Sequence, residues 1–128
     1  MFTVAAEWVA RVLLADDQEK VRSALRLLIE QEGSFQVVGE AGSVQELMQL
    51  APELNPQIVL LDWELPGLPE TRRLQALRDR FPNAHIVVLS GQPEARQTAF
   101  AEGADEFISK ADPPEKVLKT LYFVHSRV

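Results

Sequence analysis

Five short aliphatic runs, each followed by a turn signal and then by apolar residues at helical spacing, leave this chain few folds to choose from. The runs are Val12-Leu13-Leu14-Ala15, Phe35 to Val38, Ile58 to Leu61, Ile86 to Leu89 and the brief Phe107-Ile108. Three of them are continuous and rich in Val, Ile or Leu, as strands covered on both faces must be. The second carries Gln36 between apolar neighbours and reads as an edge strand. Between the runs, Val21, Ala24, Leu25, Leu28 and Ile29 fall on one helical stripe, as do Leu74, Leu77 and Phe81, and Val117, Leu118, Leu121 and Val124. Ser43 stands three residues before Glu46, and Asp112 three before Glu115, both spaced as capping boxes. Gly33 and Gly103 fall where helices should stop. Residues 93–102 also read as a helix, with an apolar side of Ala95, Ala99 and Ala101; burying so little, it is expected to be the most movable one. At 128 residues the alternation predicts one α/β domain, a parallel sheet with helices on both faces. Residues 1–10 form a short lead-in with no assigned function, in which Trp8 and Val9 are expected on the sheet edge.

In such a sheet, ligands gather at the carboxyl ends of the strands. Asp16 and Asp17 follow the first run, Asp62 the third, Ser90 and Gly91 the fourth, and Lys110 the fifth. Taken singly these residues are ordinary: an Asp pair after a strand is more often a turn with an N-cap. Taken together they bring three carboxylates, a hydroxyl and an ammonium to one rim. Carboxylates a few ångströms apart repel, so they require a cation or a raised pKa. A hard oxygen-ligand site with positions left for water and phosphate suits Mg²⁺ (or Mn²⁺). Asp62 is the natural nucleophile, since a carboxylate can form an acyl phosphate while a metal neutralises charge. Lys110 is expected to pair with Asp62 at rest and then hold a phosphoryl oxygen; Ser90 is expected to donate to another, and Gly91 to leave backbone room.

Composition narrows the remaining classes. With no cysteine there are no disulfides, no thiolate catalysis and no cysteine-ligated metal. A formal net charge of −6 disfavours direct binding of nucleic acid. No apolar run approaches the ~20 residues that span a bilayer, and Met1–Ala10 lacks the basic start of a signal peptide. A cytoplasmic location with no membrane contact is the expectation.

The segments LLADDQ (Leu13–Gln18), IVLLDWELPG (Ile58–Gly67), VVLSGQ (Val87–Gln92) and GADEFISK (Gly103–Lys110), in that order, resemble the receiver domains of two-component response regulators, across roughly Arg11 to Val124. The resemblance implies a receiver over residues 11–128 with a flavodoxin-like (βα)5 fold and sheet order 2-1-3-4-5. It implies Mg²⁺ on Asp16, Asp17, Asp62 and the backbone carbonyl of Glu64, a phosphoryl group on Asp62 delivered by a sensor histidine kinase, and Ser90 and Lys110 binding that group. Phe107 would be the aromatic switch that turns inward when Ser90 moves, although an aromatic in a strand is usually core. Trp63 reads equally as a packing residue or as an exposed aromatic at the pocket mouth. VVGEAGS (Val37–Ser43) and SKADPPEKVLKTL (Ser109–Leu121) are similar to regulators with a LuxR-type helix-turn-helix output. An end at Val128, just past the last helix, fits a receiver cut from such a regulator, with DNA bound through that C-terminal output domain. Phosphorylation would then favour a homodimer or release the output, and the chain would be no enzyme beyond acting on its own aspartate.

The chain also departs from the family. Ala111 stands where many receivers have proline after the lysine, so no cis peptide bond is expected there. Pro69-Glu70 replaces a usual glycine near position 70, which stiffens or reroutes the loop after Asp62. Glu64, and Gln92 two past Ser90, are expected to tune phosphoryl lifetime. Two other readings stay open at this point. One is a pseudo-receiver serving as a constitutive interaction module. The other is a haloacid-dehalogenase-type phosphatase, though its Asp nucleophile follows the first strand, with a second Asp two residues on.

Overall fold

The computed structural model describes residues 9–31 and 33–126. Trp8 and the rest of the lead-in before Val9 lie outside these residues, and Val9 is half-buried. Five parallel strands, β1 (Ala10–Ala15), β2 (Phe35–Ala41), β3 (Ile58–Asp62), β4 (His85–Ser90) and β5 (Glu106–Ser109), form one sheet in the order β2-β1-β3-β4-β5. Each strand outruns its aliphatic run by one or more residues, because the run marks only what the helices cover. β2 is an edge strand, as its pattern predicts, with Gln36 exposed.

Five α-helices join the strands: α1 (Glu19–Glu30), α2 (Val44–Gln49), α3 (Gln75–Arg80), α4 (Arg96–Ala101) and α5 (Pro114–His125). Alternate strand residues point to opposite faces, and the core divides accordingly. Val12, Leu14, Leu60, Val87 and Ile108 face the α1 and α5 side with Ile29, Val117, Leu121 and Val124. Leu13, Leu61, Val88 and Phe107 face the other side with Leu47, Leu74, Leu77, Phe81 and Ala99.

The helical stripes survive with two changes. In α1 only Ile29 is fully buried; Val21, Leu25 and Leu28 are half-buried and Ala24 is exposed. Part of that stripe faces a cavity of about 640 Å³ between α1 and α5, whose floor includes Leu89 and Ile108. In α4, entered through a 3-10 turn at Pro93–Ala95, Ala99 is buried, Ala95 half-buried and Ala101 exposed, so its buried face is narrower than predicted.

Ser43 caps α2, its side chain accepting from the Glu46 N–H at 3.2 Å. Glu46 answers by accepting from the Gly42 N–H at 2.6 Å, one residue earlier than a standard box would have it. Ser43→Ala is expected to cost about 1 kcal/mol, read as a lower urea midpoint with an unchanged slope; an unchanged midpoint would mean that Glu46 holds the helix start alone. Asp112 does not cap α5. Its carboxylate accepts from the Ser109 N–H at 3.0 Å, and Pro113 occupies the cap position, so the expected second box is a loop staple instead. Among the described residues there is no cis peptide bond, which includes the Lys110–Ala111 junction.

Candidate functional site

The carboxyl ends of β1, β3, β4 and β5 put the predicted side chains on one rim. Asp16 and Asp62 are about 1% exposed and Ser90 is fully buried, while Asp17 is open to solvent. One carboxylate oxygen from each of Asp16, Asp17 and Asp62 lies within 4.8 Å of the others. Short turns fix two of these groups. Asp16 Oδ1 accepts from the Gln18 N–H at 2.9 Å, and Asp62 Oδ1 accepts from the Glu64 N–H at 2.9 Å.

Lys110 reaches in from the end of β5, its own N–H donating to the Ser90 carbonyl at 2.8 Å. The resting pair expected with Asp62 is shared: Nζ sits 2.9 Å from Asp16 Oδ2 and 3.5 Å from Asp62 Oδ2. Burial by itself would lower the lysine pKa, but the hydrogen bond with Asp16 and the attraction of Asp62 and Asp16 together raise it. Asp62 is pushed above the ordinary carboxylate range, first by burial and then by the like charges of Asp16 and Glu64. The Glu64 N–H and Lys110 oppose that shift without cancelling it. A carboxylate held in this way keeps a lone pair poorly solvated, which suits attack on phosphorus.

The Glu64 side chain, singled out in the sequence as a negative group beside the pocket, makes contacts that its spacing does not specify. Ser90 Oγ donates to Glu64 Oε2 at 2.7 Å and the Gly91 N–H donates to Glu64 Oε1 at 3.1 Å, so the carboxylate bridges the loops after β3 and β4. The Gln92 N–H donates back to Ser90 Oγ at 3.0 Å. Trp63 is buried, at 5% exposure, which excludes a freely exposed aromatic. It nevertheless borders a cavity of about 320 Å³ beside the rim, shared with Glu64, Arg73, Gln92, Glu94, Ala95 and Thr98. The Arg73 guanidinium lies 4.4 Å from the Trp63 ring centroid, a cation–π contact. Phe107 is 4% exposed and packs in the same core layer as Trp63 and Ala99.

The loop carrying Pro69-Glu70 does not disturb the start of the segment after Asp62. The Trp63 N–H donates to Leu89 O at 2.7 Å, Leu65 N–H to Asp62 O at 3.1 Å, and Val44 N–H to Pro66 O at 2.9 Å. The loop runs on past Pro69-Glu70 before the next helix. Arg72 takes a left-handed φ of 54°, and α3 starts only at Gln75.

A switch-like rim of this kind, on this strand order, has relatives. Residues 12–122 match the family described as the response regulator receiver domain. The chain is a response regulator receiver domain. The receiver is 36% identical over 115 residues to the nitrate/nitrite response regulator protein NarL of Escherichia coli strain K12, a match covering 88% of this chain and 53% of NarL. It is 34% identical over 113 residues to the chemotaxis protein CheY of Thermotoga maritima, covering 87% of this chain and 93% of that protein. A LuxR-family two-component response regulator from Aurantimonas sp. SI85-9A1 superposes with a TM-score of 0.82 at 28% identity, over 92% of this chain and 86% of that one. The receiver spans about half the length of the NarL-type relatives it matches. Among its described residues no helix is long and apolar enough to cross a membrane.

Proposed function

We propose that this receiver is a phosphorylation-dependent switch of a two-component system, accepting a phosphoryl group on Asp62 from the phosphohistidine of a sensor histidine kinase. The observation that carries the reading is the meeting of Asp16, Asp17 and Asp62 with Lys110 on one rim. Three carboxylates with oxygens this close form a hard-ligand set, and the exposure of Asp17 leaves one side for water and phosphate, so the residues fit Mg²⁺ (or Mn²⁺). Asp16, Asp17, Asp62 and the Glu64 backbone carbonyl would hold it. When bound, the ion neutralises the carboxylates and draws charge from the transferring phosphoryl oxygens.

The protein's own groups do the rest. One Oδ of Asp62 attacks phosphorus; the O–P bond forms as the P–N bond to histidine breaks, and the imidazole leaves with the electron pair. Lys110 Nζ, already beside Asp62, pairs with a phosphoryl oxygen, and Ser90 Oγ donates to another. Ser90 shifts toward the new group and Phe107 follows it, changing the face formed by α4, β5 and α5. This is a local charge event biasing a two-state element. The changed face favours a homodimer or frees a C-terminal DNA-binding output of the kind found in LuxR-type regulators, in the cytoplasm. The domain acts catalytically on nothing but its own aspartyl phosphate.

Incubation with acetyl phosphate, read by intact-protein mass spectrometry, tests the reading. A single phosphoryl adduct that requires both Mg²⁺ and Asp62 is expected. A folded protein that binds Mg²⁺ yet gains no adduct would make it a pseudo-receiver instead, and release of inorganic phosphate from small phosphate esters would make it a phosphatase.

A further inference from the structure

We propose that the Glu64 carboxylate is a resident competitor for the phosphoryl-binding donors, which must leave Ser90 and Gly91 for Arg73 before Asp62 can carry a phosphoryl group. The inference rests on the reading above. Ser90 and Gly91 end β4, where Asp62 is paired in register with Leu89 and Trp63 donates to the Leu89 carbonyl, so both donors stand beside the nucleophile. Ser90 has one hydroxyl proton and Gly91 one N–H; the Ser90 Oγ lies 2.7 Å from Glu64 Oε2, closer than its other acceptor, the Gln92 carbonyl at 3.3 Å, and the Gly91 N–H donates to Glu64 Oε1 at 3.1 Å. Hydrogen bonds to a carboxylate are among the strong ones. A phosphoryl group on Asp62 presents oxygens that seek these same two donors, and its charge repels the carboxylate already there.

The second position is built as well. Glu64 and Arg73 line the same cavity of about 320 Å³ beside the rim. Arg73 Nε is buried and lacks a hydrogen-bond partner among the described residues, its nearest carboxylate being Glu102 at 4.0 Å. Its guanidinium is held in place over the Trp63 ring. Glu64 thus has two places to be: across the rim on Ser90 and Gly91, or in the cavity against Arg73. The first blocks the phosphoryl site and the second opens it. Glu64 is in this sense a positioning residue whose release is part of the cost of phosphorylation.

The reaction that reads this is phosphorylation by acetyl phosphate with Mg²⁺. The Asp62 O–P bond forms as the P–O bond to the acetyl group breaks, and acetate leaves with the electron pair. Glu64→Ala should label about tenfold faster than the parent, the scale of one charge-assisted hydrogen bond. Glu64→Gln, which keeps an acceptor but loses the charge, should fall between. Arg73→Gln should slow labelling several-fold in the parent and have no effect in the Glu64→Ala background, since the receiving group is then idle. Independently of any phosphorylation, the Gly91 amide proton should move upfield in Glu64→Ala as its hydrogen bond is lost. If that resonance moves but labelling is no faster, Glu64 is not a competitor, and the proposed function stands on the labelled parent. If Arg73→Gln slows both backgrounds equally, Arg73 serves only the fold and the two-position account fails. If neither parent nor variant is labelled while Gly91 responds, the phosphoacceptor role of Asp62 and this inference fall together.

Discussion

Asp62→Asn will give a folded protein that takes up no phosphoryl group and melts at a higher temperature than its parent. The first half follows from chemistry. An amide oxygen is a poor nucleophile toward phosphorus, and the other groups on the rim have different roles. Persistent labelling of the variant would remove Asp62 from the mechanism. The second half follows from burial. Asp62 is about 1% exposed, and its pKa is raised chiefly by desolvation, with Asp16 adding to it, more than Lys110 and the Glu64 N–H can offset. A carboxylate whose pKa is higher in the folded state adds stability below its unfolded pKa of about 3.9. It loses that contribution as pH climbs through the raised folded value. Asparagine carries no such charge and can still accept from the Glu64 N–H. The gain of the variant over the parent should therefore be near zero at pH 4 and reach about 1 kcal/mol by pH 7, roughly 3–5 °C in a domain of this size. Melting curves across that range decide it; a gain that does not grow with pH would mean that Lys110 fully compensates the charge.

Lys110→Met should be the most damaging single change on the rim. Nζ stands between two buried carboxylates, at 2.9 Å from Asp16 and 3.5 Å from Asp62, and no other lysine or arginine pairs with either side chain among the described residues. The carboxylates are buried but the Lys110 side chain is about 30% exposed, so solvent screens part of the loss and its removal costs about 2 kcal/mol, less than breaking a fully buried pair. A drop of roughly 6–10 °C in melting temperature is expected near pH 7. Because the lysine pKa is raised, the stability it contributes is fully present below about 10.4 and fades only at more alkaline pH. The loss should be largest at neutral and mildly alkaline pH and shrink as pH falls through the raised pKa of Asp62, which without Lys110 takes up its proton more readily still. Adding Asp62→Asn should restore part of the stability, since one of the stranded charges is gone. A loss under 1 kcal/mol at neutral pH would show that solvent, not Lys110, holds the cluster.

The rim was legible in the sequence because it depends on strand direction. Once five aliphatic runs imply parallel strands, whatever follows each run lands at the same end, and Asp16, Asp62, Ser90 and Lys110 need no further information to meet. The destination of the Glu64 side chain was not legible. It depends on the register that sets Asp62 opposite Leu89, a tertiary fact with no local pattern. The same holds for Asp112, whose spacing to Glu115 imitates a cap while its carboxylate closes a turn on Ser109. Trp63 resolves into a buried ring because it joins the core layer of Ala99 and Phe107 and Arg73, ten residues on, comes back over it, both of them tertiary contacts. The α1 stripe predicted a full seat on the sheet; half of it overlooks a cavity, since periodicity reports which face turns inward but not how closely the neighbouring helix approaches.

The helix α4 fastens itself to the domain through one fully buried alanine, while the strands on either side of it are secured by their ladders. Its outward residues therefore answer to different demands from those of the sheet. Arg96, Gln97, Thr98 and Phe100 are all exposed, and although Arg96 lies over the Phe100 and Phe107 rings, Gln97 and Thr98 can be exchanged to alter this surface at little expense to folding. A lineage of such domains can revise the vocabulary of this helix while the rim keeps the same grammar.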